Sequence, residues 1–357
     1  MDSLTQAVLG AGIQGAMLGR YQGRKALGAG ALLATLPDLD VLIDYGDPVS
    51  GMINHRGFSH SVFVLTALAL ALAALFRYWR PSPQYSAGRL FLTLWLVLIT
   101  HPLLDAFTSY GTQLWWPLRP TPTSWSSIFI IDPFFTLPLF AAVAAASIVG
   151  LPAKARAALC WTLGWCAAYL ALSMAAKSTI EAQIRQDMEN NGLAVKAMFS
   201  TPEPFNIVLW RVVAKTDDDS YVETVRSLLD TGPSESIRRP LNTQLAHALP
   251  GSSRLAGLQW FTDNWLRYDD IAGRLVVTDL RMGLGGGFYS FRFEMARRIG
   301  PGNGWSAITP AYWPNERGTD HLSAVFTRAW QRMPPLPLAL WEKNMTRTPA
   351  PAPADLP

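Results

Sequence analysis

Charge is what this sequence has least of. Charged residues make up 16% of the 357 positions, against 50% hydrophobic, where soluble globular proteins carry roughly 25% charged residues. The shortage is uneven: residues 1–176 hold 7 acids and 10 bases, and residues 177–357 hold 19 acids and 20 bases. That distribution excludes both a homogeneous soluble fold and a disordered chain, and it points to a membrane half joined to a water-soluble half. The net charge of +4 is dispersed with no tract of five bases, which excludes a nucleic-acid partner. Cysteine is nearly absent. Cys160 and Cys166 share one apolar run, face different directions on a helix, and are expected neither to form a disulfide nor to pair on a metal. The opening MDSLTQAVLGAG carries an acid and no basic stretch, so it does not read as a cleaved signal peptide.

Long apolar runs are what the first half has in abundance. A spanning helix needs about 20 mostly apolar residues. Phe58–Phe76, Leu90–Leu104, Phe134–Leu151 and Ala157–Ala176 qualify, and the weaker Leu4–Gly19 and Ala26–Leu36 precede them. Gly15 and Gly19 have the spacing that lets helix backbones approach closely in lipid. Six segments are predicted, the second short or broken. Arg20, Arg24, Lys25, Arg77, Arg80, Arg89, Lys154 and Arg156 fall in the alternate loops that join them, which marks those loops as cytoplasmic. All 7 acids fall at the opposite ends. The expected protein is therefore a multi-pass protein of a bacterial inner membrane, with everything after Ala176 in the periplasm.

Beyond Lys177 the pattern changes. Ser178–Asn191 reads as a short polar helix. Phe205–Ala214, Tyr221–Leu228, Gly257–Tyr268, Arg274–Leu280 and Phe288–Ala296 are short alternating runs between turn formers, the pattern of an antiparallel sheet. Gly285-Gly286-Gly287 lacks the strand–helix context of a phosphate loop. The expected organisation is a helical membrane domain over 1–176, a β-rich domain over 177–345, and a disordered Pro/Ala-rich tail over 346–357.

Candidate chemistry collects at the outer ends of the segments. His55, His60 and His101 lie there, with Asp38 and Asp40 (LPDLD), Asp105 (HPLLD) and Asp132 (IIDP). His101 and Asp105, four apart on a helix, share a face and suit one imidazole and one carboxylate on one metal. HRGFSH places two imidazoles around a tight glycine turn, with Ser59 expected to cap the next helix. Any one of these residues alone reads as an ordinary cap or ion-pair partner. Together at one membrane face they make a functional site, because crowded carboxylates repel unless a cation or protonation compensates.

The stretches MDSLTQAVLGAG, LPDLDVLID, HRGFSHS, HPLLDAFTSYGT and SIFIIDP resemble the YdjM-like family of inner-membrane metal-dependent hydrolases, also described as LexA-binding. The resemblance covers about residues 1–180 and implies a distant kinship with zinc-dependent phospholipase C, hence a phospholipase C-like helical core. By that resemblance Asp38 or Asp40, together with His60, His101 and Asp105, are metal ligands, with His55 beside them, and Arg56 is placed to hold an anionic substrate group. Many relatives carry His where this chain has Gln6, and relatives of this branch carry Glu near Gln14, so one or two metals are implied rather than three.

The leading expectation is a hydrolase using zinc, or alternatively manganese, on a phosphoester of a membrane lipid or lipid-linked compound, with Asp40 or Asp132 as general base. The alternative is a membrane anchor whose metal or polar cluster is structural and whose β domain meets a periplasmic protein partner. A transporter would want ionisable groups at mid-membrane, and Phe58–Phe76 and Phe134–Leu151 have none beyond their ends. Trp115, Trp116 and Trp125 fit an aromatic belt. His247 and His321 have no companion at ligand spacing.

Overall fold

A computed structural model describes residues 1–232, 234–285, 288–300, 304–314 and 319–345. Gly286 and Gly287 of the triple glycine and the tail from Thr346 lie outside the described residues. The chain divides into two compact units. The first comprises residues 1–44, 54–176 and 205–207; the second takes 45–53, 177–204 and the chain from 208 onward.

The first unit is helical: α1 (Ser3–Gln22), α2 (Lys25–Ala34), a 3-10 turn over Pro37–Leu42 and a second 3-10 turn over Phe58–His60; the short α3 (Pro48–Asn54) between the two turns falls in the second unit up to residue 53. Then follow α4 (Val62–Trp79), α5 (Ala87–Ala106), α6 (Pro133–Val149) and α7 (Ala153–Asn190). The six apolar segments correspond to α1, α2, α4, α5, α6 and α7. Three of these helices, α4, α5 and α7, are long and apolar enough to cross a membrane. Only 17% of the apolar stretch of α4 and 22% of that of α7 is buried, so large side chains such as Leu70, Phe76, Trp161 and Leu172 face outward. An apolar surface of that extent is suited to lipid rather than water.

Helix starts follow from side-chain caps. Asp2 accepts from Thr5 N, Ser86 from Arg89 N, and Asp132 from Phe134 N and Phe135 N, with Pro133 at the first helical position. The cap of α4 is Ser61, which accepts from Phe63 N and Val64 N, not Ser59 as the sequence suggests. The 3-10 turn over Phe58–His60 displaces the helix start and frees Ser59 for another use. The closest helix approach is between α1 and α2. A Cβ built on Gly30 would lie 2.3 Å from the Gly10 carbonyl oxygen, and one on Gly10 would lie 2.4 Å from the Ala34 Cβ. This pair, more than Gly15 and Gly19, provides the small-residue seam. Pro102 lies inside α5, which runs unbroken from Ala87 to Ala106.

The second unit holds two antiparallel four-stranded sheets. One has the order β1 (Ala197–Pro202), β2 (Leu209–Lys215), β3 (Ser220–Ser227), β4 (Glu235–Pro240). After α8 (Ser253–Phe261), β5 (Leu266–Ile271) and β6 (Arg274–Asp279) join the other sheet, and β7 (Gly283–Leu284) and β8 (Phe288–Tyr289) form a small hairpin. β9 (Arg292–Arg298) and β10 (Trp305–Tyr312) complete the second sheet in the order β10-β9-β6-β5. Two helices, α9 (Thr319–Trp330) and α10 (Leu338–Met345), follow. The expected strand over 257–268 is half helix: Ser252 caps α8, and Leu255, Leu258 and Phe261 are buried at helical spacing. The separate polar helix expected over 178–191 is the end of α7. Phe205, at φ +66°, belongs to the turn before β2 rather than to the strand. The core gathers Val213, Tyr221, Trp265, Leu280 and Tyr289 around a buried Arg211–Glu223 ion pair of 2.5 Å.

Candidate metal centre

Four side chains from three places in the first unit meet at one point. Asp38 comes from the 3-10 turn after α2, His60 from the turn before α4, and His101 and Asp105 from one face of α5. His60 Nε2 lies 3.4 Å from Asp38 Oδ1 and 3.3 Å from Asp105 Oδ2. His101 Nε2 lies 3.3 Å from Asp38 Oδ1 and 3.6 Å from Asp105 Oδ2. His60, His101 and Asp105 are almost wholly buried, and the Asp38 side chain is 24% exposed.

These atoms fit a metal ion better than they fit each other. His60 Nε2, His101 Nε2 and Asp105 Oδ2 are buried and make no hydrogen bond, although buried polar atoms are nearly always paired. Ligands held about 2.1 Å from a tetrahedral ion stand about 3.4 Å apart, and the four imidazole–carboxylate separations, 3.3 to 3.6 Å, are of that size. The outer nitrogens explain the orientation of the inner ones. His101 Nδ1 lies 2.7 Å from the Ala34 carbonyl oxygen, which can only accept, so Nδ1 carries the proton and Nε2 presents its lone pair. His60 Nδ1 lies 2.9 Å from Ser59 Oγ, and that hydroxyl donates to Asp40 Oδ2 at 2.7 Å.

Asp40 is accordingly used as an organiser. Its Oδ2 also accepts from the Arg56 backbone N–H at 3.0 Å, and its Oδ1 is 3.0 Å from His55 Nδ1. Asp38, Asp40 and His55 form a second group able to hold an ion, sharing Asp38 with the first. Burial raises the pKa of Asp40, but hydrogen bonds from His55 and Ser59 outweigh it and leave the carboxyl below its ordinary value. Asp40 is therefore a carboxylate at neutral pH.

Arg56 takes a left-handed conformation, φ +59°, while Gly57 next to it has φ −88°. The glycine is needed for approach: a Cβ there would lie 2.8 Å from the Asn54 carbonyl oxygen. The Arg56 side chain is buried, with Nε 3.2 Å from Asp105 Oδ2, Nη1 donating to Thr108 Oγ1 at 3.3 Å, and the guanidinium 4.9 Å above the Tyr110 ring. Its charge is thus directed at a ligand carboxylate.

Asp132 stands apart from both groups. Its Oδ1 caps α6 and its Oδ2 accepts from the Tyr169 hydroxyl at 2.9 Å, so it anchors the start of α6 to α7. Sequence reading did not anticipate Ser59, Thr108, the Ala34 carbonyl, the Met1 amine that contacts Asp105 Oδ1, or the use made of Gln6. Only Ser59 left a signal, as the hydroxyl inside HRGFSH.

The chain is 26% identical to the uncharacterized protein YfhP of Bacillus subtilis over 235 residues, covering 62% of this chain and 67% of that protein. It is 36% identical to the inner membrane protein YbcI of Escherichia coli over 95 residues, covering 26% of this chain and 52% of that one. No solved structure matches. The model of the YdjM inner membrane protein family matches residues 1–180, the stretch that carries every residue of the centre. The chain belongs to the YdjM inner membrane protein family.

Proposed function

We propose that this protein is a membrane-bound metal-dependent hydrolase acting on a phosphoester of a lipid or lipid-linked compound, at the periplasmic face of a bacterial inner membrane that it crosses several times. The observation that carries the reading is the convergence of His60 Nε2, His101 Nε2 and Asp105 Oδ2, buried and without hydrogen bonds, with Asp38 Oδ1. Two imidazoles and two carboxylates suit zinc, with manganese as the alternative. A divalent ion bound there supplies Lewis-acid polarisation of a phosphoryl oxygen and lowers the pKa of a water molecule.

The remaining work falls to the protein's own groups. His60 and His101 are held in one tautomer by Ser59 and the Ala34 carbonyl. Arg56 keeps a positive charge beside Asp105. Asp38 and His55, whose side chains are 24% and 27% exposed, are the groups past which a substrate reaches the ion. Lipid is favoured as substrate because the centre lies at the end of apolar helices and because Trp115, Trp116 and Trp125 in the following loop are exposed, as indoles at headgroup depth are. The test is turnover by metal-loaded protein in liposomes containing phospholipids and lipid-linked phosphates, beside Asp38→Asn. Phosphoester cleavage lost in the variant supports the reading; no cleavage by stoichiometrically loaded protein contradicts it.

A second reading rests on Arg56. Its guanidinium is engaged by Asp105, Thr108 and Tyr110 rather than presented to a substrate, as in a metal cluster that locks the helices while the β domain serves a periplasmic partner. Arg56→Lys separates the two: it lowers turnover in an enzyme and leaves partner binding unchanged in an anchor.

A further inference from the structure

We propose that Gln6 is the positioning residue of the metal centre, holding the His101–Asp105 pair so that Asp105 offers Oδ2 to the ion; the inference rests on the metal-centre reading above. Gln6 lies in the first turns of α1 and is 1% exposed. Its Nε2 is 3.2 Å from the His101 carbonyl oxygen and 3.2 Å from Asp105 Oδ1. Both neighbours can only accept, so the amide nitrogen is fixed on that edge. One side chain from α1 therefore grips both members of the α5 pair.

The grip matters because a carboxylate turns easily about its terminal bond, which is broad and roughly two-fold. Asp105 is pulled from opposite sides. Arg56 Nε approaches Oδ2 at 3.2 Å, while Gln6 and the Met1 amine hold Oδ1. Gln6 thus opposes the rotation that would swing the carboxylate toward Arg56 and away from the two imidazoles. Gln6 Oε1 is buried with no partner, as is Gln14 Oε1 on the same helix, so it is the donor end that distinguishes Gln6. Both donors go to the pair and the acceptor is left unsatisfied. Outer partners of this kind typically govern metal affinity by 10–100-fold.

The test is Co2+ titration of the detergent-solubilised full chain, following affinity by calorimetry and ligand geometry by the visible Co2+ bands. Gln6→Met keeps the length of the side chain and removes the donors. Gln14→Met is the control: Gln14 is buried on the same helix, but its Nε2 donates to Gln22. Gln6→Met is expected to weaken Co2+ binding 10–100-fold and shift the bands, with Gln14→Met like wild type. Should Gln6→Met fail to fold, Gln6→Asn, one methylene too short to reach both acceptors, is read the same way. Wild-type affinity and bands in the Gln6 variant overturn the proposal, as does an equal loss in both variants, which would mean helix packing. Failure of the wild-type protein to bind Co2+ removes the metal-centre reading and this inference with it.

Discussion

His101 Nδ1 lies 2.7 Å from the backbone carbonyl of Ala34, the last residue of α2. This bond ties the ligand helix α5 to the helix that leads into Asp38, and it commits His101 Nε2 to the centre. His101→Asn should separate the two functions. The Asn amide can still donate to the Ala34 carbonyl, whereas nothing replaces Nε2. The expected outcome is a variant that inserts and melts close to wild type but retains no metal, checked by elemental analysis beside a melting curve.

Asp40 is expected to act through others. Its oxygens accept from His55, the Arg56 backbone and Ser59, so Asp40→Asn should lower affinity at the Asp38–His60–His101–Asp105 group about 10–100-fold without emptying that group at saturation. Asp38→Asn removes a ligand and should lower the number of ions bound at saturation. Metal titration of the two variants side by side checks the contrast; identical behaviour would mean that the two acids share one role.

The seam between α1 and α2 should be intolerant of any side chain. Gly30→Ala would place a Cβ 2.3 Å from the Gly10 carbonyl oxygen, and overpacking of this kind costs about 1–3 kcal/mol. Because α2 carries Ala34 and leads to Asp38, the variant should lose metal affinity as well as stability. Gly28→Ala, where a Cβ meets nothing within 4 Å, should do neither. Denaturation in mixed micelles together with metal content reads both effects.

Glu203 gives the β-rich unit a pH signature. It is fully buried, and burial raises its pKa to about 7 despite the Gly285 N–H it accepts from and the nearby Arg211. Between the ordinary value of 4.5 and about 7, the folded state keeps a proton that the unfolded state has released. Stability from this group therefore falls as pH rises through that window. Glu203→Gln should remove the fall, so that the variant gains on wild type from pH 4.5 to 7. Parallel melting curves across that range would show that Glu203 is ionised in the folded protein.

The helices and the metal centre were legible in the sequence to different depths. Apolar runs announce membrane-suited helices because lipid leaves few alternatives, and His60, His101, Asp38 and Asp105 stand out as ionisable groups at the ends of such runs. The partners that orient them leave no local trace. Gln6 is 95 residues from His101, and Ala34 is 67 from it. Ala34 contributes a carbonyl oxygen, which every residue has. Asp132 stands at a segment end as Asp105 does, and only the neighbouring Phe134, Phe135 and Tyr169 reveal that it is a cap. In the β-rich half, α8 was hidden because Gly257–Tyr268 is apolar enough for either period, and the Ser252 cap decides it.

The convergence of His60, His101, Asp105 and Asp38 is expected to hold a divalent metal. Elemental analysis of the detergent-purified protein beside His60→Ala and His101→Asn tests it most directly. Near-stoichiometric metal is expected in the wild type, and its loss from both variants. Well-folded wild-type protein that carries no metal, even after reloading with zinc or manganese, would contradict it.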